Sequence, residues 1–402
     1  MLFNRIKLTN FDYLLMSLVG YDFFYTLGAV ILPKLMYNAI QLLFILVFTR
    51  CFIREKKSTA HLDSDIKFVL TLFVLWSIAI VLYSFITQFS IRLIMLYVVQ
   101  PISFLIYATP CFMLIKYDDK KIAKIAKWLI INSIIGLISY FYLRNLIAVS
   151  SMDDIAIQGD VSLYSYLNIA QFPSHCFIAT SFVFIYGVFT SKWKSWVLWV
   201  SFVVAVVASL LLGRRSSALI PVVILVAKVF YDFYNRPRTL FLVLLLLFGV
   251  YLAYDYLQDK FMSTFVILQD RAFDNTRYWV EHDFYRDMKG FDYIIGRGSE
   301  GLVYSSELGM RQIIETGYLN MILHGGIIYL FFYLYLLVVS AFRGLFSRNR
   351  LVIAMSFYIF IMIACLYPGG HLTFSMGTLA LWVCVSCCGS RRQRKTLPQM
   401  EL

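Results

Sequence analysis

Apolar runs of about 18 residues or more recur along nearly the whole chain, and that leaves few folds open. "WVLWVSFVVAVVASLLL" and "LIPVVILVAKVFY" are two of them. In lipid, backbone N–H and C=O groups must be bonded internally, so a run of this kind crosses as a helix or as part of a closed barrel. These runs are continuous and do not alternate, which selects helices over barrel strands. Of the 402 residues, 60% are hydrophobic and 15% are charged. Soluble domains rarely have that balance.

The expected fold is therefore an all-α polytopic membrane protein with about twelve transmembrane helices. The spans are placed near 12–32, 35–53, 66–87, 93–115, 122–146, 172–191, 194–212, 216–234, 238–257, 316–342, 350–367 and 372–389. Residues 1–257 then hold nine spans joined by short loops, with a medium outer loop at 150–172. Residues 258–315 form one large outer loop, 316–389 the last three spans, and 390–402 a basic tail. No cleavable signal is expected, because Asp22 lies in the first apolar stretch and no A-x-A-like site follows it.

The net charge of +13 suggests nucleic acid at first sight. Its distribution argues otherwise, because the basic residues sit in short loops between spans and no basic domain stands apart. With the N-terminus inside, about two-thirds of the 36 lysines and arginines fall on inner segments. That bias is the positive-inside pattern, and it predicts that both termini are cytoplasmic. Seven cysteines lie in or beside apolar runs. "CVSCC" has no second pair or histidine at zinc spacing, so it reads as small apolar residues at a helix end.

"LLLGRRSSAL" places Arg214 and Arg215 in a short outer turn, where the topology rule gives them no role. They suit the negative end of the preceding helix dipole, or snorkelling to the interface. They also suit an anion, since Ser216 opens a helix whose N-terminus is partly positive, and arginine grips phosphate bidentately. In the large loop, "NTRYWVEHDFYRDMKG" reads as a helix capped by Asn275 or Thr276 and stopped by Gly290. Arg277 and Glu281 are i,i+4 on it, while Arg286 shares another face with Trp279, His282 and Asp283. "GFDYIIGRGSEG" reads as a short strand or turn followed by a Gly-rich loop around Arg297, whose glycines would let backbone amides approach an anion. Arg311 is a further arginine of this loop.

Glu315 opens the tenth span, as a dipole-favoured acid or as a general base at the surface. Thr316, Asn320 and His324 follow at i, i+4 and i+8 as a polar stripe, which in a span faces the bundle interior. For His324 that stripe reads first as an interhelix hydrogen bond and second as a substrate contact. His371, in "YPGGHLTF", sits at an outer turn. No Ser/His/Asp ordering, paired-carboxylate motif or metal-ligand cluster stands out.

Three segments together resemble the O-antigen polymerase and O-antigen ligase superfamily of bacterial envelope enzymes. "LLLGRRSSAL" is similar to the small-residue–arginine pair that opens a span in those proteins. "TRYWVEHDFYRDMKGFDYIIGRGSEG" is similar to their outer loop, where arginine and tryptophan precede a "GxG". "ETGYLNMILHGGIIYLFFYLYLLV" is similar to their "HNxxLxxLxxxGI" span. The resemblance covers roughly residues 205–345 by motif and implies a GT-C-like architecture in the bacterial inner membrane. It also implies an activity: a glycan on undecaprenyl pyrophosphate moves to a sugar hydroxyl at the periplasmic face, without metal, nucleotide sugar or other cofactor.

By the same resemblance, Arg214 (or Arg215) and Arg277 hold the pyrophosphate, and Glu315 stands where ligases have histidine. That departure favours a polymerase over a ligase. The RX10G motif of some polymerases is absent in strict form, since Arg297 stands eleven positions after Arg286. The implied partners are the lipid-linked donor and acceptor, the bilayer and a chain-length regulator, with no nucleic acid. A flippase or transporter of lipid-linked glycans is the rival of another class. It should show two similar halves and charges deep within spans.

Overall fold

A computed structural model describes residues 8–24, 32–55, 61–87, 109–148, 278–306, 309–312, 316–367 and 374–396, with single positions 91, 93, 94, 97, 107, 182, 183, 185–187 and 314. These are mostly helical. The helices are α1 (Asn10–Phe23), α2 (Lys34–Glu55), α3 (Ser64–Thr87), α4 (Thr109–Met113) and α5 (Asp119–Ala148). After them come α6 (Tyr278–Asp287), α7 (Phe291–Ile295), strands β1 (Val303–Ser305) and β2 (Gly309–Arg311), α8 (Gly317–Leu345), α9 (Arg350–Cys365), α10 (Met376–Cys388) and α11 (Arg391–Thr396). Among the described residues, Met36–Glu55, Ser64–Thr87 and Gly317–Leu345 are long and apolar enough to cross a bilayer, and α9 and α10 are shorter apolar helices.

Polar side chains fix where several helices begin. Thr9 and Asp12 form a reciprocal capping box at α1, the Thr9 N–H donating to Asp12 Oδ2 at 2.8 Å. Asn349 accepts the Leu351 N–H at 3.0 Å, and Ser375 accepts the Thr378 N–H at 3.3 Å, at the starts of α9 and α10. The described helices agree with six expected spans to within a few residues at most ends, while α1 ends at Phe23 and residues 25–31 lie outside the described set. The seventh, eighth and ninth expected spans also lie outside it.

The centre of the packing is α8. Its Tyr329 ring stacks on Phe73 of α3 at 4.8 Å, and its Tyr333 meets Trp382 of α10 edge-on at 5.6 Å. Leu336 and Leu337 of α8, Met355 and Tyr358 of α9 and Val383 of α10 are fully buried around them. Each such side chain contributes about 1.5–3 kcal/mol if its alternative is water. The outer faces stay apolar: Leu43 and Leu46 on α2, Phe68, Leu75 and Leu82 on α3, and Ile327 and Phe331 on α8 are exposed. A soluble monomer rarely shows so much apolar surface, whereas a helix facing lipid does. Cys384, Cys387 and Cys388 are buried, unbridged residues of α10.

The two ends of this bundle differ. At one end Asp63 accepts from Arg343 (3.1 Å) and Arg394 (3.3 Å), and Asp65 accepts from Arg343 at 2.6 Å. Lys121 meets Glu55 and Lys124 meets Asp12 at the same end, at 2.8 and 2.7 Å. The starts of α1, α3, α5 and α9 and the ends of α2, α8 and α10 therefore gather together, as alternating antiparallel crossings require. At the other end, α6, α7 and the hairpin form a cap with its own small core of Val280, Phe284, Met288, Val303, Ile314, Leu319 and Leu323.

Candidate functional site

The cap is seated in a break of α8. The sequence suggests one unbroken span at 316–342, but Gly326 has φ 71° and ψ −179°, outside the helical region. A left-handed φ is strained for any residue with a Cβ, and a Cβ at Gly326 would also collide with the Ile294 carbonyl of α7. A break in an apolar helix frees carbonyls, which are costly when buried unless bonded again. Here they are bonded by the cap. The Arg297 N–H donates to the Leu323 carbonyl at 2.6 Å, and the Gly298 N–H donates to the His324 carbonyl at 3.1 Å. Trp76 of α3 donates its Nε1–H to the Gly325 carbonyl at 2.7 Å.

"GFDYIIGRGSEG" is thus a one-turn helix followed by a docking loop; of the expected strand or turn, it takes the turn. Phe291–Ile295 is helical because Gly296 donates its N–H back to Asp292 at 2.8 Å. The glycines bring the loop backbone against α8. Gly298 has φ 84°, and a Cβ there would strike the Ser84 hydroxyl. The result is a polar knot between helices: Ser84 Oγ accepts the Ser299 N–H at 2.6 Å, and Tyr97 bonds the Ser299 hydroxyl closely. Tyr107 and Gln312 both donate to the Ser299 carbonyl, at 3.3 and 3.4 Å, and Gln312 also donates to Glu300 Oε2 at 3.0 Å.

The polar stripe of α8 faces this cap. Thr316 donates to Glu281 Oε1 at 3.1 Å, Asn320 Oδ1 accepts the Ile314 N–H at 3.0 Å, and buried His324 places Nδ1 2.9 Å from the Gly298 carbonyl. His324 is therefore bonded to the loop backbone, where an interhelix bond was the first expectation. Arg311 lies on β2 opposite Val303. Arg286 is 60% exposed on α6, 3.5 Å from Asp283.

Arg297 corrects a second expectation. Its guanidinium does not face outward for an anion. Nε donates to Asp292 (3.0 Å), Nη1 to Asp287 (2.5 Å) and the Leu302 carbonyl (2.7 Å), and Nη2 to the Asp287 carbonyl (2.8 Å). Partial burial opposes its charge, but the two carboxylates outweigh that and raise its pKa above the ordinary value. Arg297 is a clamp that ties α6, α7 and β1 together. The Ser306 hydroxyl and N–H, both 2.7 Å away, similarly hold Asp283 below the usual carboxylate range.

Arg214, Arg215, Arg277, Glu315 and His371 lie outside the described residues. Sequence reasoning missed Trp76, Ser84, Ser299 and Gln312. A serine or tryptophan within an apolar span gives no hint of its partner, and the one available signal was the "HGG" pair within α8.

Taken together, the fold is that of a helical membrane protein with a polar cap docked into a discontinuous helix. No family model, curated protein or solved structure matches the chain.

Proposed function

We propose that this protein is a polymerase of undecaprenyl-pyrophosphate-linked oligosaccharide repeat units (O-antigen, capsule or exopolysaccharide) at the periplasmic face of the bacterial inner membrane. The observation that carries the reading is the capped break of α8, which seats a polar loop at the bundle end opposite the cluster of ion pairs. Such a cap suits a headgroup at the lipid surface while the apolar faces hold its polyprenyl tail. About twelve spans with cytoplasmic termini complete the proposed architecture.

In the reaction, the bond between the anomeric carbon and the pyrophosphate oxygen breaks, and a bond to the acceptor sugar oxygen forms. Negative charge grows on the leaving pyrophosphate, so cationic donors must be waiting there. Arg214, Arg215 and Arg277 fill that role in this proposal. Arginine stays protonated and cannot accept the hydroxyl proton, so Glu315 takes or orients it. Arg286 and Arg311 are the outer-loop cations proposed for substrate contact, with Asn320 and His371, whereas Arg297 is engaged in its clamp and buried His324 is held by the Gly298 carbonyl.

A ligase would use the same chemistry on another acceptor, and Glu315 in place of histidine argues against it. Transporters do use broken helices, with the freed backbone groups left for cargo or ions. In α8 those carbonyls are taken by Arg297, Gly298 and Trp76, which favours the enzyme. The test is purified protein in liposomes, supplied on its outer side with lipid-linked repeat units. Lengthening of the glycan is expected; transbilayer movement without lengthening overturns the proposal. Arg214→Ala and Arg277→Ala should each abolish polymer while the protein stays in the membrane, and wild-type polymer in both would remove these residues from the site.

A further inference from the structure

Helix α6 has two faces of opposite chemistry. Its inner face buries Val280 and Phe284 in the core of the cap. That face is also fastened by three acids: Glu281 to Thr316, Asp283 to Ser306, and Asp287 to Arg297 and to the Tyr304 N–H at 3.2 Å. The outer face carries Tyr278, Trp279, His282, Tyr285 and Arg286, at the i, i+3, i+4 and i+7 spacing that aligns side chains on a helix. Tyr278 and Trp279 are each 55% exposed and Tyr285 58%. The rings form one array: Tyr278 meets Trp279 edge-on at 5.3 Å and lies nearly parallel to His282 at 6.2 Å, and Trp279 meets His282 at 6.3 Å.

We propose that this outer face is a binding platform for a sugar chain. A pyranose has an apolar C–H face and a rim of hydroxyls. Aromatic rings cover the first, while His282, Arg286 and the tyrosine hydroxyls bond the second. Tyrosine and tryptophan offer large rigid areas at low entropic cost, and a helix already clamped on its other side loses little further freedom on binding.

The chemistry of this face favours sugar over lipid. An interfacial helix buries a continuous apolar face in the bilayer. The outer face of α6 holds no aliphatic residue and interleaves His282 and Arg286 with its rings. The neighbouring α7 does expose Phe291 and Ile294, the surface that lipid prefers.

The platform's role in handling the growing chain rests on the polymerase reading; its binding does not. The probe is a set of oligosaccharides of increasing repeat number, released by mild acid from the source strain's own surface polysaccharide. They are titrated onto the full-length protein in nanodiscs. Affinity should rise with length, and Trp279→Ala and Tyr285→Ala should each weaken binding about tenfold. Trp279→Phe should retain most of it. Trp279 emission, obtained by subtracting the Trp279→Phe spectrum, should respond to oligosaccharide and resist quenching by brominated lipids. Unchanged affinity in the double alanine variant, or quenching by brominated lipid with no response to sugar, overturns the proposal. Binding at α6 without elongation in liposomes would instead remove the polymerase reading and leave the platform standing.

Discussion

Gly298 and His324 are bonded to each other twice: the Gly298 N–H donates to the His324 carbonyl at 3.1 Å, and His324 Nδ1 lies 2.9 Å from the Gly298 carbonyl. A carbonyl only accepts, so this geometry calls for the tautomer with its proton on Nδ1. One residue of the loop thus fills two polar needs of an interrupted apolar helix. The cap holds the break, and the break holds the cap.

Gly298→Ala tests that coupling. The substitution puts a Cβ where φ is 84° and where it meets the Ser84 hydroxyl. A strained backbone position of this kind costs roughly 1–3 kcal/mol. The loop should undock first, because the helices do not need it for their own ladders. Hydrogen exchange should speed up by about ten- to a hundredfold at residues 297–305, with little change in α9 and α10. Equal protection in wild type and variant would show that the close approach is not needed for docking.

Arg297→Lys separates a clamp from a simple charge. Four guanidinium hydrogen bonds reach Asp287, Asp292 and the Leu302 carbonyl at once, and a lysine ammonium cannot span that set. Each lost bond to a charged group is worth about 1.5–3 kcal/mol before relaxation. The lysine variant should therefore behave nearly like Arg297→Ala in a thermal scan of cap proteolysis. Full rescue by lysine would reduce Arg297 to a point charge.

How much of this was readable beforehand follows the physics of each signal. Hydrophobic run length is local, so the ends of α2, α3, α8 and α9 fall within three residues of the expected runs. The helix from Tyr278 to Asp287 was legible from its spacing and from Gly290. The break at Gly326 was not, because an apolar run reads as continuous whether or not its ladder is interrupted. Arg297 looked like an anion donor because sequence shows its charge and its glycines, while Asp287 and Asp292 become its partners only after the loop folds back. The arginine convergence at Arg214 and Arg277 is a relation between distant segments, and it remains part of the proposal.

Asp283 gives the cap a defined acid limit. Its folded pKa is lowered from the ordinary 3.8 by the Ser306 hydroxyl and N–H, with Arg286 and His282 adding to the effect. A carboxyl lowered in the folded state stabilises that state above its unfolded pKa, and the contribution is lost as pH falls through the lower, folded value. Wild-type protein should keep the hairpin resistant to pepsin through pH 4 and lose that resistance only in more acid solution. Ser306→Ala removes the hydroxyl donor, so its loss of resistance should shift to higher pH. Coincident profiles would mean that another group sets the limit.

Trp76 of α3 hydrogen-bonds the α8 break from outside the cap. It donates to the Gly325 carbonyl at 2.7 Å. Phenylalanine keeps much of the apolar bulk and removes the donor, leaving a carbonyl unbonded where water is scarce. Such a group costs about 1–3 kcal/mol. Because Gly298 and Arg297 bind the neighbouring carbonyls, Trp76→Phe should not undock the loop outright. It should lower the unfolding temperature in detergent and couple to Gly298→Ala, the double variant losing more than the two single losses added. Strict additivity would mean that the bond from α3 and the bonds from the cap act on the break independently.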